Sequence, residues 1–445
     1  MKDMTTGSPF KIMVAFSLPM LVSMMFQQLY NIADSVIAGR YAGVDALAAV
    51  GASYPITMIF LAFATGSSIG CTVIISQLFG AKKMIHMKSA IFTALISLFG
   101  LSIFMLIAGT LTTNLFMTAL KTPQNIFADS ALYLKVYVWG LPFLFMYNAA
   151  NAVFLALGDS KTPLAFLIFS SVFNVILDMY FVRNLHMGVG GVAWATFIAQ
   201  GIASVLAVAF LLWRISKMNI KGKFAWFEIN LLKRIAIVAV PSVIQQSFVS
   251  VGQLFIQGLL NTYGSDAVAG YSAAFKINTF SITCITTMSN ALSSFVAQNF
   301  GARKFDRIVR GYKVGFSINV VFGLLVAVAC LLFSTQFINL FLESGGDNQK
   351  VLEYGRTFLM IVTPFHAIVA VKIITDAVLK GAGYMQGFMI STFVDLILRV
   401  IFSYIFAAFG GFTGLCWAYP LGWVIGTVFS IVFYAMGKWK QVRLI

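Results

Sequence analysis

Long apolar runs, separated by short polar stretches, recur from one end of this chain to the other. Runs of 20 or more apolar residues are long enough to cross a bilayer as helices. The pattern predicts twelve spans, at about 12–38, 47–78, 88–116, 131–157, 163–183, 190–214, 234–261, 267–298, 309–341, 353–379, 386–409 and 412–436. Several exceed the minimum, so tilt or extension past the bilayer is expected. The first run begins near Ile12, is longer than a signal-peptide core and has no small-residue cleavage site after it, so it reads as the first span. The expected fold is an all-α polytopic membrane protein.

The pattern also repeats. Residues 45–83 begin DALAAVG and end SQLFGAKK, and residues 266–304 begin DAVAGYS and end AQNFGARK. At one constant offset Asp45 matches Asp266, Gln77 matches Gln298, Gly80 matches Gly301 and Lys83 matches Lys304. Later, GVAWAT (191–196) matches GLCWAY (414–419), and LGDSKTP (157–163) matches GAGYMQG (381–387). The longest polar segment, 215–233, lies midway and carries Lys217, Lys221, Lys223 and Lys233. The expected organisation is an amino-terminal six-helix lobe (1–214), a linker (215–233) and a carboxy-terminal six-helix lobe (234–445). Six is even, so the repeats enter the membrane in the same orientation and are parallel, as in transporters that rock one half against the other.

Composition narrows the class. The chain is 60% hydrophobic and 10% charged, against about 25% charged in soluble proteins. The net charge of +16 sits in loops between spans, which speaks for membrane topology and against nucleic acid. Lys82, Lys83, the linker lysines, Arg303, Lys304, Arg307, Lys438, Lys440 and Arg443 all fall on one side if there are twelve spans. The other side holds mainly Arg40, Lys121, Arg183 and Lys350, with acids such as Glu343 and Asp347. By the positive-inside rule both termini face the cytoplasm. Cys71, Cys284, Cys330 and Cys416 lack metal or disulfide spacing and read as small core residues.

Ionisable residues inside spans are costly and therefore candidates for function. Gln27, Tyr30, Asn31 and Asp34 share one face of span 1, and Asn174 and Asp178 one face of span 5. Thr196 follows the tight GVGG segment on span 6. No basic residue lies at comparable depth in spans 1 to 6. Two carboxylates in a low dielectric either take up a proton or bind a cation, and this set of hard oxygens suits a small alkali ion such as Na⁺. The alternative is that both acids are neutral and serve helix packing.

The second half differs. Phe255 or Ile256 falls opposite Asp34, Arg399 opposite Asn174 and Ser403 opposite Asp178. Lys372 with Asp376 and Asp395 with Arg399 are spaced to form their own ion pairs, though Asp376 could instead face the cavity. Lys276 has no local partner and is left between snorkelling and pairing with another span. Asn148, Asn151, Gln246, Gln253 and Gln257 are further cavity candidates. Proline deletes a backbone hydrogen bond and kinks a helix, so Pro142, Pro241, Pro364 and above all Pro19, the candidate hinge of span 1, are expected to bend their spans.

These residues resemble the multidrug and toxic compound extrusion (MATE) family over nearly the whole chain. The resemblance rests on twelve spans in two parallel halves, the paired FGA(K/R)K loops and the set Asp34, Asn174, Asp178 and Thr196. It implies a cation site at those four residues, with Gln27, Tyr30 and Asn151 in a polar cavity. It further implies Na⁺- or H⁺-coupled export of small amphipathic organic cations from a bacterial cytoplasmic membrane. The expected partners are those compounds and membrane lipids, with a monomeric chain and no cofactor beyond the coupling ion. A lipid-linked oligosaccharide flippase of the same superfamily is the alternative, against which the amino-terminal acid pair argues. An enzyme is not expected, because His86, His186 and His366 stand isolated and no Asp-rich motif occurs.

Overall fold

A computed structural model describes residues 2–120, 122–218, 220, 222–341 and 349–445. Lys121, Lys221, Glu343 and Asp347, which bear on the topology, lie outside the described residues, as does the side chain of Asp45. The described chain forms helices and no strand. In order these are α1 (Pro9–Ile37), α2 (Val44–Gly80), α3 (Met84–Ala119), α4 (Gln124–Trp139), α5 (Leu141–Ala156), α6 (Lys161–Asp178) and α7 (Gly188–Lys217). They continue with α8 (Ile229–Leu260), α9 (Ser265–Gly301), α10 (Phe305–Asn339), α11 (Gln349–Val362), α12 (His366–Ala382) and α13 (Met385–Ala435).

Among the described residues, ten helical stretches are long and apolar enough to cross a membrane, and α4 with α5, bent by 46°, makes one more. The twelfth lies inside α13. At 51 residues this helix would reach about 76 Å if straight, more than twice the thickness of a hydrocarbon core. Gly411, at φ 58° and ψ −141°, breaks it. Only glycine adopts this backbone conformation without strain, so the chain can turn there. The two parts of α13 are the eleventh and twelfth spans, and the twelve expected from the apolar pattern are present.

The duplication is visible in backbone detail. Helices α2 and α9 are each 37 residues long, and each follows a glycine with positive φ, Gly43 and Gly264. Both end in the same turn. The amides of Ala81, Lys82 and Lys83 donate to the carbonyls of Gln77, Phe79 and Leu78, and those of Ala302, Arg303 and Lys304 to Gln298, Phe300 and Asn299. Lys82 and Arg303 sit at φ 58° and 56° in the left-handed region, the conformation that closes such helix ends. Spans four and ten are both broken, at Gly140 and at Thr363–Phe365, with Pro142 at the start of α5 and Pro364 inside the second break. The turn after α5 shifts one sequence match. Gly158 and Gly383 share a left-handed φ and the same bonding, so Asp159 stands opposite Tyr384. LGDSKTP therefore pairs one residue further on than the letters suggest.

The chain forms two compact units. One comprises Leu18–Ser247 with the residues ahead of Met4, the other Met4–Ser17 and Phe248–Leu444. In the first, α2 packs on α3, α4 and α5, and α7 on α5 and α6. Gly66 and Gly70 form a small-residue face against α8. A Cβ on Gly66 would lie 2.6 Å from the Val243 backbone, and one on Gly70 2.7 Å from Ala239 Cβ. Small residues at this spacing let membrane helices approach closely where no hydrophobic force joins them. Linker residues also belong to this unit, since Ala225 and Glu228 amides donate to Ser89 Oγ and Thr93 Oγ1 on α3. In the second unit α9 is central, contacting α10, α11 and α12, around a core of Tyr271, Phe358, Leu359, Tyr419 and Trp423.

Candidate functional site

Three helices of the first unit bring the four candidate cation residues together. Asp34 lies one turn before the end of α1, and Asp178 is the last residue of α6. Each helix continues into a widened, π-helical turn, Ala38–Ala42 and Met179–Asn184, and the two turns contact each other. Such widened turns recur at functional sites because they rotate side chains out of the regular helical register.

Asp178 is fully buried and Asn174 nearly so. The Asp34 and Asp178 side chains are within hydrogen-bonding reach of each other. Asn174 joins α6 to α7. With its amide turned to satisfy both ends, Nδ2 donates to Asp178 Oδ2 at 2.7 Å and Oδ1 accepts from the Thr196 amide at 3.1 Å. In the opposite orientation Nδ2 faces Thr196 Oγ1 at 3.3 Å; the first leaves no like groups facing each other. The Tyr30 hydroxyl, one turn before Asp34, lies near the Thr196 side chain.

Asp34 Oδ1 and Asp178 Oδ1 are buried with no hydrogen-bond partner. Among the described residues no basic side chain pairs with either acid. A hydrogen bond between two carboxyl groups requires a proton on one of them. Two unmatched buried oxygens also leave coordination free for a cation. Beside Thr196 lies a cavity of about 10 Å³ bordered by Tyr133, Tyr137 and Gln200, roughly the room one water needs. Tyr133 and Tyr137, both on α4, are not among the residues that the sequence singles out. Their i, i+4 spacing is the available signal, masked by the apolar residues and Lys135 around them.

The other candidate residues scatter. Gln27 and Asn31 are exposed on α1. Asn148 donates back to the Leu144 carbonyl, and half-buried Asn151 hydrogen-bonds with Tyr147. Gln246 is half-buried on α8, where Gln253 donates to the Tyr271 hydroxyl and Gln257 to Asn261. Helix α1 runs on through Pro19, whose carbonyl accepts from Ser23 Oγ at 2.8 Å.

Asp376 belongs to a buried network in the second unit. Lys372 Nζ lies 2.8 Å from Asp376 Oδ2 and 3.8 Å from Asp395 Oδ2, and Arg399 donates to Asp395 Oδ1 at 2.7 Å. Asp376 Oδ1 accepts from Ser391 and Ser430. The Arg399 guanidinium lies over the Tyr419 ring at 5.2 Å, and Tyr419 bonds to Tyr271 hydroxyl-to-hydroxyl. Both ion pairs expected from spacing are present, and Lys372 links them, which spacing along one helix does not reveal. Lys276 lies 5.3 Å from the Phe341 ring.

The family model described as MatE matches residues 19–180 and 241–405, one segment in each half. The "Probable multidrug resistance protein YpnP" of Bacillus subtilis (strain 168) is 27% identical over 444 residues, covering 99% of this chain and 98% of its own length. Two solved structures share the fold: a MATE in the bent conformation, with TM-score 0.90, 24% identity and 98% of each chain covered, and a MATE in the straight conformation, with TM-score 0.90, 23% identity and 99% of each chain covered.

Proposed function

The chain belongs to the MatE family, and we propose that it is a Na⁺- or H⁺-coupled antiporter that exports small amphipathic organic cations by alternating access. The observation that carries this reading is the cluster of Asp34, Asn174, Asp178 and Thr196, with two acids and no basic partner among the described residues. A proton or Na⁺ entering the cluster neutralises charge that the low-dielectric interior disfavours. Thr196 contributes a further hydroxyl oxygen, Asn174 holds Asp178 through its amide nitrogen, and Tyr30 places its hydroxyl near Thr196.

Coupling requires that ion and substrate favour different conformations. The element proposed to differ is α1. Pro19 has no amide hydrogen, so the Ala15 carbonyl lacks its usual donor and bending there breaks no further backbone bond. Solved structures that share the fold include one in a bent and one in a straight conformation, which supports a fold with more than one shape. One charge crossing the membrane potential supplies about 2.3 kcal/mol per 100 mV. The proposed setting is a bacterial cytoplasmic membrane, with both termini in the cytoplasm because the basic loops fall on that side. The relatives' multidrug names support a wide substrate range.

The test is efflux of a fluorescent organic cation from proteoliposomes under an imposed Na⁺ gradient and, separately, a pH gradient. Transport driven by one gradient and lost in Asp34→Asn establishes antiport and identifies the ion. Undiminished transport in that variant removes Asp34 from the mechanism.

A further inference from the structure

A dense group of basic side chains surrounds the start of α10 in the second unit. Arg303, Lys304, Arg307 and Arg310 border a surface cavity of about 570 Å³ together with Thr5 and one acid, Asp306. Two of the four cations have structural work. Lys304 Nζ donates to the Thr5 carbonyl at 2.8 Å, and Arg307 donates to the carbonyls of Met4, Thr6 and Gly7. These bonds fix the amino-terminal segment as one wall of the cavity, and neutral carbonyls leave the positive charge in place. Arg303 and Arg310 are exposed, and no ion pair engages either among the described residues.

The carboxy terminus adds to the same face. Trp439 is buried, stacks on Tyr434 and meets the Phe305 ring at 6.4 Å. Lys440 lies 5.5 Å from the Trp439 ring. Helix α10 is long and apolar enough to cross the membrane, so its first turn lies where lipid headgroups do. Clustered Trp, Tyr and Arg/Lys are the side chains suited to that depth.

The duplicated turn in the first unit shows that the charge is not a requirement of the backbone. Lys82 occupies the position of Arg303 with nearly the same φ, but it is paired with Asp3 at 2.6 Å. At the same offset Ser89 stands where the second half has Arg310, and its hydroxyl accepts from the linker amide of Ala225.

We propose that the cavity at the start of α10 binds the phosphate of an anionic phospholipid headgroup, with Arg303 and Arg310 as the donors and Lys304 and Arg307 as the fixed positive wall. Planar guanidinium groups present paired N–H donors matched to phosphate oxygens. The cavity is open to the surface, as a headgroup on a membrane-held lipid requires. Asp306 at the rim disfavours a second negative charge, which suits a phosphodiester better than a multiply charged free phosphate.

The test uses purified full-length protein in nanodiscs of phosphatidylcholine alone or with phosphatidylglycerol, with lipid retention read by native mass spectrometry. Wild type is expected to retain phosphatidylglycerol selectively. Arg310→Gln, on an exposed helical face, should weaken retention about fivefold, and Arg303→Asn with Arg310→Gln about thirtyfold. Asparagine is chosen at 303 because it tolerates the left-handed backbone. Lys82→Gln, which removes a charge already paired, should change retention little. Equal retention of the two lipids by wild type, or unchanged retention in both arginine variants, would overturn the proposal. Displacement of phosphatidylglycerol by millimolar inorganic phosphate would overturn the lipid assignment and point to a soluble phosphate ester.

Discussion

Aligned on their repeated turns, the two halves set Asn174, Asp178 and Thr196 opposite Arg399, Ser403 and Tyr419. In the first half an amide, a carboxyl and a hydroxyl converge with Asp34, and two acid oxygens have no partner. In the second half the corresponding position holds a guanidinium over an aromatic ring, bonded to its own carboxylate one turn away. One scaffold thus supports two solutions for buried charge. The second half carries its cations covalently, on Lys372 and Arg399, which balance the charges of Asp376 and Asp395. In the first half no basic side chain among the described residues pairs with Asp34 or Asp178, and on the proposed function a mobile proton or ion supplies the missing charge. On the proposed function, exchange belongs in the half whose buried acids lack built-in cations.

The largest effects should come from removing one ionisable group from each half. Asp34→Asn should reduce gradient-driven efflux to the level of empty liposomes while leaving thermal stability unchanged or raised, since an unmatched buried charge is removed. Lys372→Met should do the reverse in kind. It strands Asp376 and Asp395 without their shared ammonium, and thermal unfolding in detergent should reveal a loss of about 3–5 kcal/mol. Adding Asp376→Asn to Lys372→Met should recover part of that loss, because the two residues act as a pair. Equal destabilisation by Asp34→Asn and Lys372→Met would end the distinction between the halves.

Part of this contrast is legible in the amino-acid sequence. Spans, duplication and the polar faces of span 1 and span 5 follow from periodicity, because lipid forces apolar residues outward and leaves polar ones conspicuous. The pairing of Lys372 with Asp376 and of Asp395 with Arg399 follows from helical spacing. The link from Lys372 to Asp395 does not, since it joins α12 to α13 and depends on how these helices pack. Tyr133 and Tyr137 escape sequence reasoning for a related reason: among 15 tyrosines, residue type alone does not separate those bordering the small cavity beside Thr196 from those facing lipid. The widened turns after Asp34 and Asp178 also leave no pattern in the residue types.

Packing around the ion network offers a subtler test. Gly422 and Gly426 stand where the first half has Ala199 and Ala203, counting from the matched GVAWAT and GLCWAY. A Cβ on Gly426 would lie 2.7 Å from Lys372 Cε and 2.8 Å from Asp395 Cβ, and one on Gly422 2.8 Å from Asp395 Oδ1. In the second half the charged side chains fill the space that these methyl groups would occupy. Gly426→Ala should therefore cost about 1–3 kcal/mol through overpacking. The reciprocal Ala203→Gly should cost only about 0.5–1 kcal/mol, from backbone entropy. Similar losses in the two variants would show that the glycines do not serve the ion network.

The smallest difference lies at the turn where Asp159 stands opposite Tyr384. Asp159 opens α6 by accepting from the amides of Lys161 and Thr162 and from the Thr162 hydroxyl, and it pairs with Arg214. Burial works against its charge, but the Thr162 hydrogen bonds and the Arg214 guanidinium outweigh it and hold the carboxyl below its ordinary value of 3.8. A depressed carboxyl binds fewer protons folded than unfolded. Its stabilising contribution is therefore complete above the ordinary value and lost as pH falls through the lower, folded one. Thermal stability of the wild type should fall more steeply than that of Asp159→Asn as pH drops below about 4, with the two curves converging at the acid end. In the second half Tyr384 carries no charge at this position and packs against Phe433. Tyr384→Phe should therefore leave the acid limb of the wild-type curve in place, and parallel acid limbs in wild type and Asp159→Asn would mean that this turn contributes no pH dependence at all.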